Sequence, residues 1–129
     1  MAEEKTEKRI KDLIEDMKKE RGYMPPPWEY AVKKDIDFME GYNKLYEMGL
    51  ADGKALPIKT RELIAIALLA FRGQEGGVYE HMKRALRHGA TKQELLEALE
   101  TCLIPGGAPT FGNGLRALLK IEEEEKKAK

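Results

Sequence analysis

The chain has 129 residues, the size of a single domain with one hydrophobic core. Its 23 basic and 23 acidic side chains cancel, so no net field favours nucleic acid or an anionic membrane as a partner. There is no apolar run of about 18 residues, which a transmembrane helix needs, and no signal peptide, so we expect a cytoplasmic protein. One cysteine and two histidines argue against a disulfide or a structural zinc site within the chain.

The N-terminal part of the chain is predicted to be helical. Residues 3–21 carry apolar side chains at i, i+3, i+4 and i+7, which predicts an amphipathic helix ending at Gly22. The prolines at 25–27 predict a stiff, extended connector. Residues 28–50 predict more helix, broken near Asp35. We interpret residues 1–55 as a helical arm whose aromatic stripe packs either on its own core or on another subunit.

The centre of the chain is an unusually apolar segment. Residues 63–71 contain no polar side chain, and they are rich in Ala and Leu, which favours a helix over a strand. Thr60 is the expected N-cap. A helix that is apolar on all sides should be buried on all sides. Residues 78–88 predict the following helix, which ends at Gly89.

Two more helices are predicted beyond Gly89. Thr91 and Glu94 form the S/T-x-x-E pattern of a capping box, which indicates a helix start. The Pro- and Gly-rich residues 105–109 end that helix, and a last helix follows. No segment alternates with period two for long enough to form a strand. We therefore predict an all-α fold of six to seven helices, with a compact core at 56–121 and a solvated charged tail at 122–129.

Glu62 and His81 are the candidate catalytic residues. Each lies in line with apolar neighbours at helical spacing, and ionisable groups on buried faces are often functional. Each also has a structural explanation, because a carboxylate suits the start of a helix and a core histidine can be held by hydrogen bonds. Arg61 and Arg84 are candidates for binding a substrate carboxylate, which arginine matches with two parallel hydrogen bonds.

Residues 61–119 resemble the carboxymuconolactone decarboxylase family, which includes the alkylhydroperoxidase D-like proteins. The matching stretches are TRELI at 60–64, HMKRAL at 81–86, GAT at 89–91 followed by EL at 94–95, and GAP at 107–109. The peroxidase branch has the pattern E-x11-C-x2-C-x3-H. Glu62 and His81 keep this separation, whereas Gln74 and Gly77 occupy the two cysteine positions.

The resemblance implies a particular chemistry. A dithiol peroxidase needs an attacking thiolate and a resolving thiol, and neither Gln74 nor Gly77 supplies one. Cys102 is expected to be a small buried side chain. The chain looks more like the decarboxylase branch, a lyase that removes CO2 from a small carboxylated lactone without a cofactor, with acid–base help from His81 and Glu62. A homo-oligomer, trimer or hexamer, is implied as well. The alternative is a non-catalytic oligomer that keeps the fold but has lost the redox pair.

Overall fold

The computed structural model describes residues 1–129, and it contains seven helices and no strand. They are α1 (Ala2–Arg21), α2 (Pro26–Lys34), α3 (Ile36–Leu50), α4 (Ile58–Phe71), α5 (Glu75–Arg87), α6 (Lys92–Gly106) and α7 (Ala108–Ala128). The predicted all-α fold is confirmed. No helix carries an apolar stretch long enough to cross a bilayer.

Helices α1–α3 make up the first of two compact units, Met1–Gly49. Its core consists of Leu13, Met17, Val32 and Met39. Gly22 ends α1 with φ at 86°, the left-handed conformation that favours glycine, and the chain breaks at Asp35 as predicted. The extended connector is shorter than expected. Pro25 is the N-cap of α2, and Pro26 and Pro27 lie in its first turn, where a missing N–H costs nothing.

Aromatic side chains in this unit pack against one another and against a cation. The Trp28 and Tyr42 rings stack with centroids 5.1 Å apart. The guanidinium carbon of Arg21 lies 3.7 Å from the centroid of the Tyr46 ring. By contrast, Phe38 is 68% exposed. Part of the predicted aromatic stripe therefore packs within the unit, and part of it lies at the surface.

The second unit, Leu50–Lys129, contains α4–α7. The carbonyls of Leu50 and Ala51, at its start, accept hydrogen bonds from Arg84 and Arg61. The unit's core consists of Ile66, Ala70, Val78, Met82, Ala85, Ala90, Leu95, Leu99, Ala117 and Ile121.

Helix α4 differs from its prediction in two ways. Its N-cap is Pro57 and not Thr60, because the Asp52 carboxylate from the preceding loop accepts a hydrogen bond from the Ile58 N–H at 2.8 Å. The expectation that α4 would be buried on every side is also wrong for the single chain. Ile66 and Ala70 are fully buried, whereas Leu68 is 60% exposed.

The C-terminal helices contain one confirmed cap and one unexpected extension. Thr91 and Glu94 exchange both hydrogen bonds of the predicted capping box. Residues 122–128, which were expected to be a charged tail, continue α7. Lys92 forms ion pairs with Glu122 and Glu125, and the Tyr79 hydroxyl donates to Glu124, so three of these acidic side chains have partners outside α7.

Helices α6 and α7 approach each other closely at Gly114. A Cβ atom at this position would lie 2.1 Å from Cδ2 of Leu99, a side chain that is itself fully buried. Only glycine fits at this contact without displacement of a neighbour. The glycine-rich residues 112–114 thus include one position that helix packing requires.

Candidate active site

Helices α4 and α5 form a hairpin joined by residues 72–74. Gly73 takes φ at 73°, and the Gln74 N–H donates to the Leu69 carbonyl at 2.9 Å, which caps the end of α4. The Asn113 side chain satisfies a second carbonyl of this last turn, that of Ala70, at 2.9 Å. The N-terminal half of α4 thereby lies beside the C-terminal half of α5.

Glu62 lies on the fully buried side of α4, in line with Ile66 and Ala70. Its Oε2 is 2.7 Å from Nδ1 of His81, and its Oε1 is 2.5 Å from Nη1 of Arg84. The expected contact between Glu62 and His81 is therefore present. Because each carboxylate oxygen already has a partner and the side chain is fully buried, Glu62 is placed to orient His81 and not to touch a substrate.

The contact with Glu62 indicates which nitrogen of His81 carries the hydrogen between the two side chains. An ionised carboxylate has no hydrogen to donate, so Nδ1 must carry the hydrogen of this bond. The His81 side chain is 17% exposed, whereas that of Glu62 is fully buried. Of these two candidate catalytic residues, His81 is the one within reach of a small molecule.

Arg84 lies in a different environment from the one that its predicted role requires. It was a candidate for substrate binding, but its side chain is only 5% exposed and its guanidinium forms an ion pair with Glu62. The same Nη1 also donates to the Leu50 carbonyl at 3.1 Å. A signal for this position did exist, since Arg84 follows His81 by three residues and so shares its helix face.

Arg61, the other candidate for substrate binding, points to the loop before α4. Its Nη1 donates to the Ala51 carbonyl at 2.9 Å. A Cβ atom at Gly53 would lie 3.2 Å from the same nitrogen, so the loop backbone passes close to the guanidinium. This contact ties Arg61 to the loop.

The family's two cysteine positions lie at the start of α5. Gln74 is the N-cap residue of this helix, and Gly77 packs against the Leu69 side chain. The only thiol, Cys102, is half-buried on α6, where its Sγ donates to the Leu99 carbonyl at 3.2 Å. Burial raises the pKa of the Cys102 thiol, which disfavours the reactive thiolate. The chain has no CxxC pair and no activated thiol.

Comparison with known sequences identifies relatives over most of the chain. The carboxymuconolactone decarboxylase family profile matches residues 37–120. An uncharacterized protein of Methanocaldococcus jannaschii is 32% identical over 104 residues, covering 70% of this chain and 100% of that protein. The 4-carboxymuconolactone decarboxylase of Acinetobacter baylyi is 37% identical over 54 residues, which are 42% of this chain and 40% of that enzyme.

Two solved structures share the fold. A candidate carboxymuconolactone decarboxylase from Burkholderia xenovorans superposes with a TM-score of 0.77 at 24% identity, covering 96% of this chain and 98% of that one. A carboxymuconolactone decarboxylase family protein from Legionella pneumophila gives a TM-score of 0.69 at 29% identity, over 88% of this chain and 95% of that one. With a family profile that matches more than half of its length and a fold shared with both structures, the chain belongs to the carboxymuconolactone decarboxylase family.

Proposed function

We propose that the protein is a cofactor-independent decarboxylase-like enzyme that acts on a small carboxylated lactone or a related organic acid. The observation that carries this proposal is the 2.7 Å contact between the buried Glu62 carboxylate and Nδ1 of His81. Glu62 orients the imidazole ring, and His81 transfers the proton. The family membership and the short match to the Acinetobacter enzyme support the choice of reaction.

The proposed decarboxylation requires the transfer of one proton to one carbon atom of the substrate. When the bond between the substrate carbon and its carboxylate breaks, CO2 leaves and the electron pair remains on the organic fragment as an enolate. Protonated His81 then donates a proton to the carbanion carbon and is reprotonated from solvent. General acid–base help of this kind contributes typically about 10²–10⁴-fold.

The charges around His81 suit an anionic substrate. The ion pair between Glu62 and Arg84 has no net charge, so a proton on His81 gives the three side chains a net charge of +1. Such a charge attracts a carboxylate and stabilises the developing enolate. Arg84 supports this arrangement because it neutralises the charge of Glu62. In this proposal, that role takes the place of the substrate contact that the sequence predicted for Arg84.

The experiment compares His81→Ala with His88→Ala on a panel of carboxylated γ-lactones, with CO2 release as the signal. His88 is the matched control because it is the other histidine and lies exposed at the C-cap of α5. We expect His81→Ala to lose about 10²–10⁴-fold in turnover and to keep its helical circular dichroism, and His88→Ala to retain activity. Undiminished turnover by His81→Ala would refute the assignment. A wild-type protein that binds these lactones without releasing CO2 would favour the non-catalytic alternative.

We also propose that the chain self-associates through the outer side of α4. Ile64, Leu68 and Phe71 are 49%, 60% and 64% exposed and lie at i, i+4 and i+7 on one helix face. Beside them is an apolar groove of about 300 Å³, lined by Ala67, Leu68, Phe71, Cys102, Pro105 and Thr110. Contiguous apolar surface of this kind is usually covered by a partner, and a second copy presents the same complementary apolar face. A trimer or hexamer is the assembly that the family resemblance implies.

A further inference from the structure

We infer that Arg84 is a positioning residue that pairs with the buried Glu62 carboxylate, holds it turned toward His81, and so fixes which nitrogen of His81 carries the hydrogen between them. The inference assigns Arg84 a structural task at the site instead of contact with the substrate. Its consequence for turnover rests on the function proposed above, whereas its consequence for the state of His81 does not.

The first step is the division of the Glu62 carboxylate between two donors. Arg84 binds Oε1 at 2.5 Å and His81 binds Oε2 at 2.7 Å, which leaves each oxygen with one partner. Glu62 is fully buried, and a buried carboxylate without a cationic partner favours the neutral acid. The guanidinium is therefore what makes an ionised Glu62 compatible with its surroundings.

The second step is the effect on the imidazole. A protonated Glu62 would have a hydroxyl to donate, and Nδ1 of His81 could then act as the acceptor. Neutral His81 would carry its hydrogen on Nε2 and would lose the acceptor site there. Because an ionised carboxylate can only accept, Arg84 indirectly places the hydrogen on Nδ1.

The third step concerns the orientation of Arg84 itself. The Nη1 that binds Glu62 also donates to the Leu50 carbonyl at 3.1 Å, so the guanidinium is fixed at two points. Lysine has the same charge, but it presents a compact ammonium on a flexible stem, whereas the planar guanidinium fixes the direction of the Nη1 donors. Arg84→Lys should therefore keep the charge and lose part of the orientation.

The experiment follows the two imidazoles by ¹⁵N NMR and measures kinetics in parallel. The chain has two histidines, so His88→Gln assigns the signals. We expect wild-type His81 to carry its hydrogen on Nδ1 when neutral, and Arg84→Met to shift the neutral form toward Nε2–H. Arg84→Lys should move the signals in the same direction but less far. Arg87→Met, an exposed arginine on the same helix, is the matched control and should leave His81 unchanged.

The kinetic arm separates positioning from substrate binding. On any lactone that the wild type decarboxylates, Arg84→Met should lower kcat by about 10²-fold, the effect of a misplaced catalytic group, with KM little changed. If Arg84→Met does not fold, Arg84→Lys, which keeps the buried charge paired, replaces it.

The outcomes separate the two ideas. Unchanged His81 signals in folded Arg84 variants, or a raised KM at unchanged kcat, would overturn the positioning role. If the wild type turns over no lactone, the proposed function fails and the NMR result alone decides the role of Arg84.

Discussion

Gly114→Ala tests the close contact between α6 and α7 in quantitative terms. The new Cβ would lie 2.1 Å from Cδ2, 2.7 Å from Cδ1 and 2.9 Å from Cγ of Leu99, whereas ordinary contacts begin near 3.4 Å. Since Leu99 is fully buried, it has little room to change rotamer. Overpacking costs about 1–3 kcal/mol, and this overlap belongs at the upper end. The better helix propensity of alanine returns about 1 kcal/mol, so we expect a net loss of about 2 kcal/mol.

Urea unfolding followed by circular dichroism measures this change, and Gly112→Ala provides the control in the same helix. At Gly112 the nearest atom to a new Cβ is Nη1 of Arg116, at 3.4 Å and at the end of a flexible side chain. Gly112→Ala should therefore stabilise the protein by about 0.5–1 kcal/mol. In a Leu99→Ala background, Gly114→Ala should lose its penalty. If both glycine variants stabilised the protein equally, the inferred approach of the two helices would be incorrect.

Three further predictions use other parts of the molecule. The Lys59 ammonium and a backbone hydrogen bond lower the pKa of Glu94 below its ordinary value of 4.5. The ionised Glu94 therefore stabilises the fold above pH 4.5, and this stabilisation is lost as the pH falls below that value. The acid unfolding of Glu94→Gln should lack this pH-dependent component. Cys102→Ser should leave CO2 release unchanged and should lower the free energy of unfolding by about 1 kcal/mol. The thiol of the wild-type protein should react slowly with iodoacetamide. Peroxide turnover by the wild type that is lost in Cys102→Ser would contradict the absence of thiol chemistry. Light scattering at micromolar concentration should give a mass above the 14.7 kDa of one chain. Leu68→Glu should lower the measured mass because it places a charge on the exposed apolar side of α4. A monomeric wild-type protein would refute the interface on α4.

Local signals in the sequence located most helix boundaries. Gly22 marked the end of α1 because a left-handed residue suits glycine, and Thr91 with Glu94 marked the start of α6 because both capping hydrogen bonds form between residues three apart. The start of α4 was missed for the corresponding reason. Its capping acceptor, Asp52, lies six residues before the N–H that it binds, so no short pattern contains both.

The candidate site was predictable in part. The separation of Glu62 and His81 indicated a pair, and their contact at 2.7 Å is present. The partnership of Glu62 with Arg84 was not foreseen, because charged side chains are usually exposed and composition does not show which of 23 cations is buried. The exposure of one side of α4 could not be predicted either, because an apolar segment has the same sequence pattern whether it packs inside a chain or between chains.

The ion pair between Glu62 and Arg84 also constrains how this family member can diverge. Loss of one partner breaks a buried ion pair, which costs up to about 3–5 kcal/mol, out of the roughly 5–15 kcal/mol that holds a typical domain together. Single substitutions at position 62 or 84 should therefore weaken the fold more than paired replacement by neutral residues of similar size. Drift at these two positions should be concerted. Among descendants of this sequence, we expect both charges or neither, and a lineage that has changed only one should carry a compensating charge next to it.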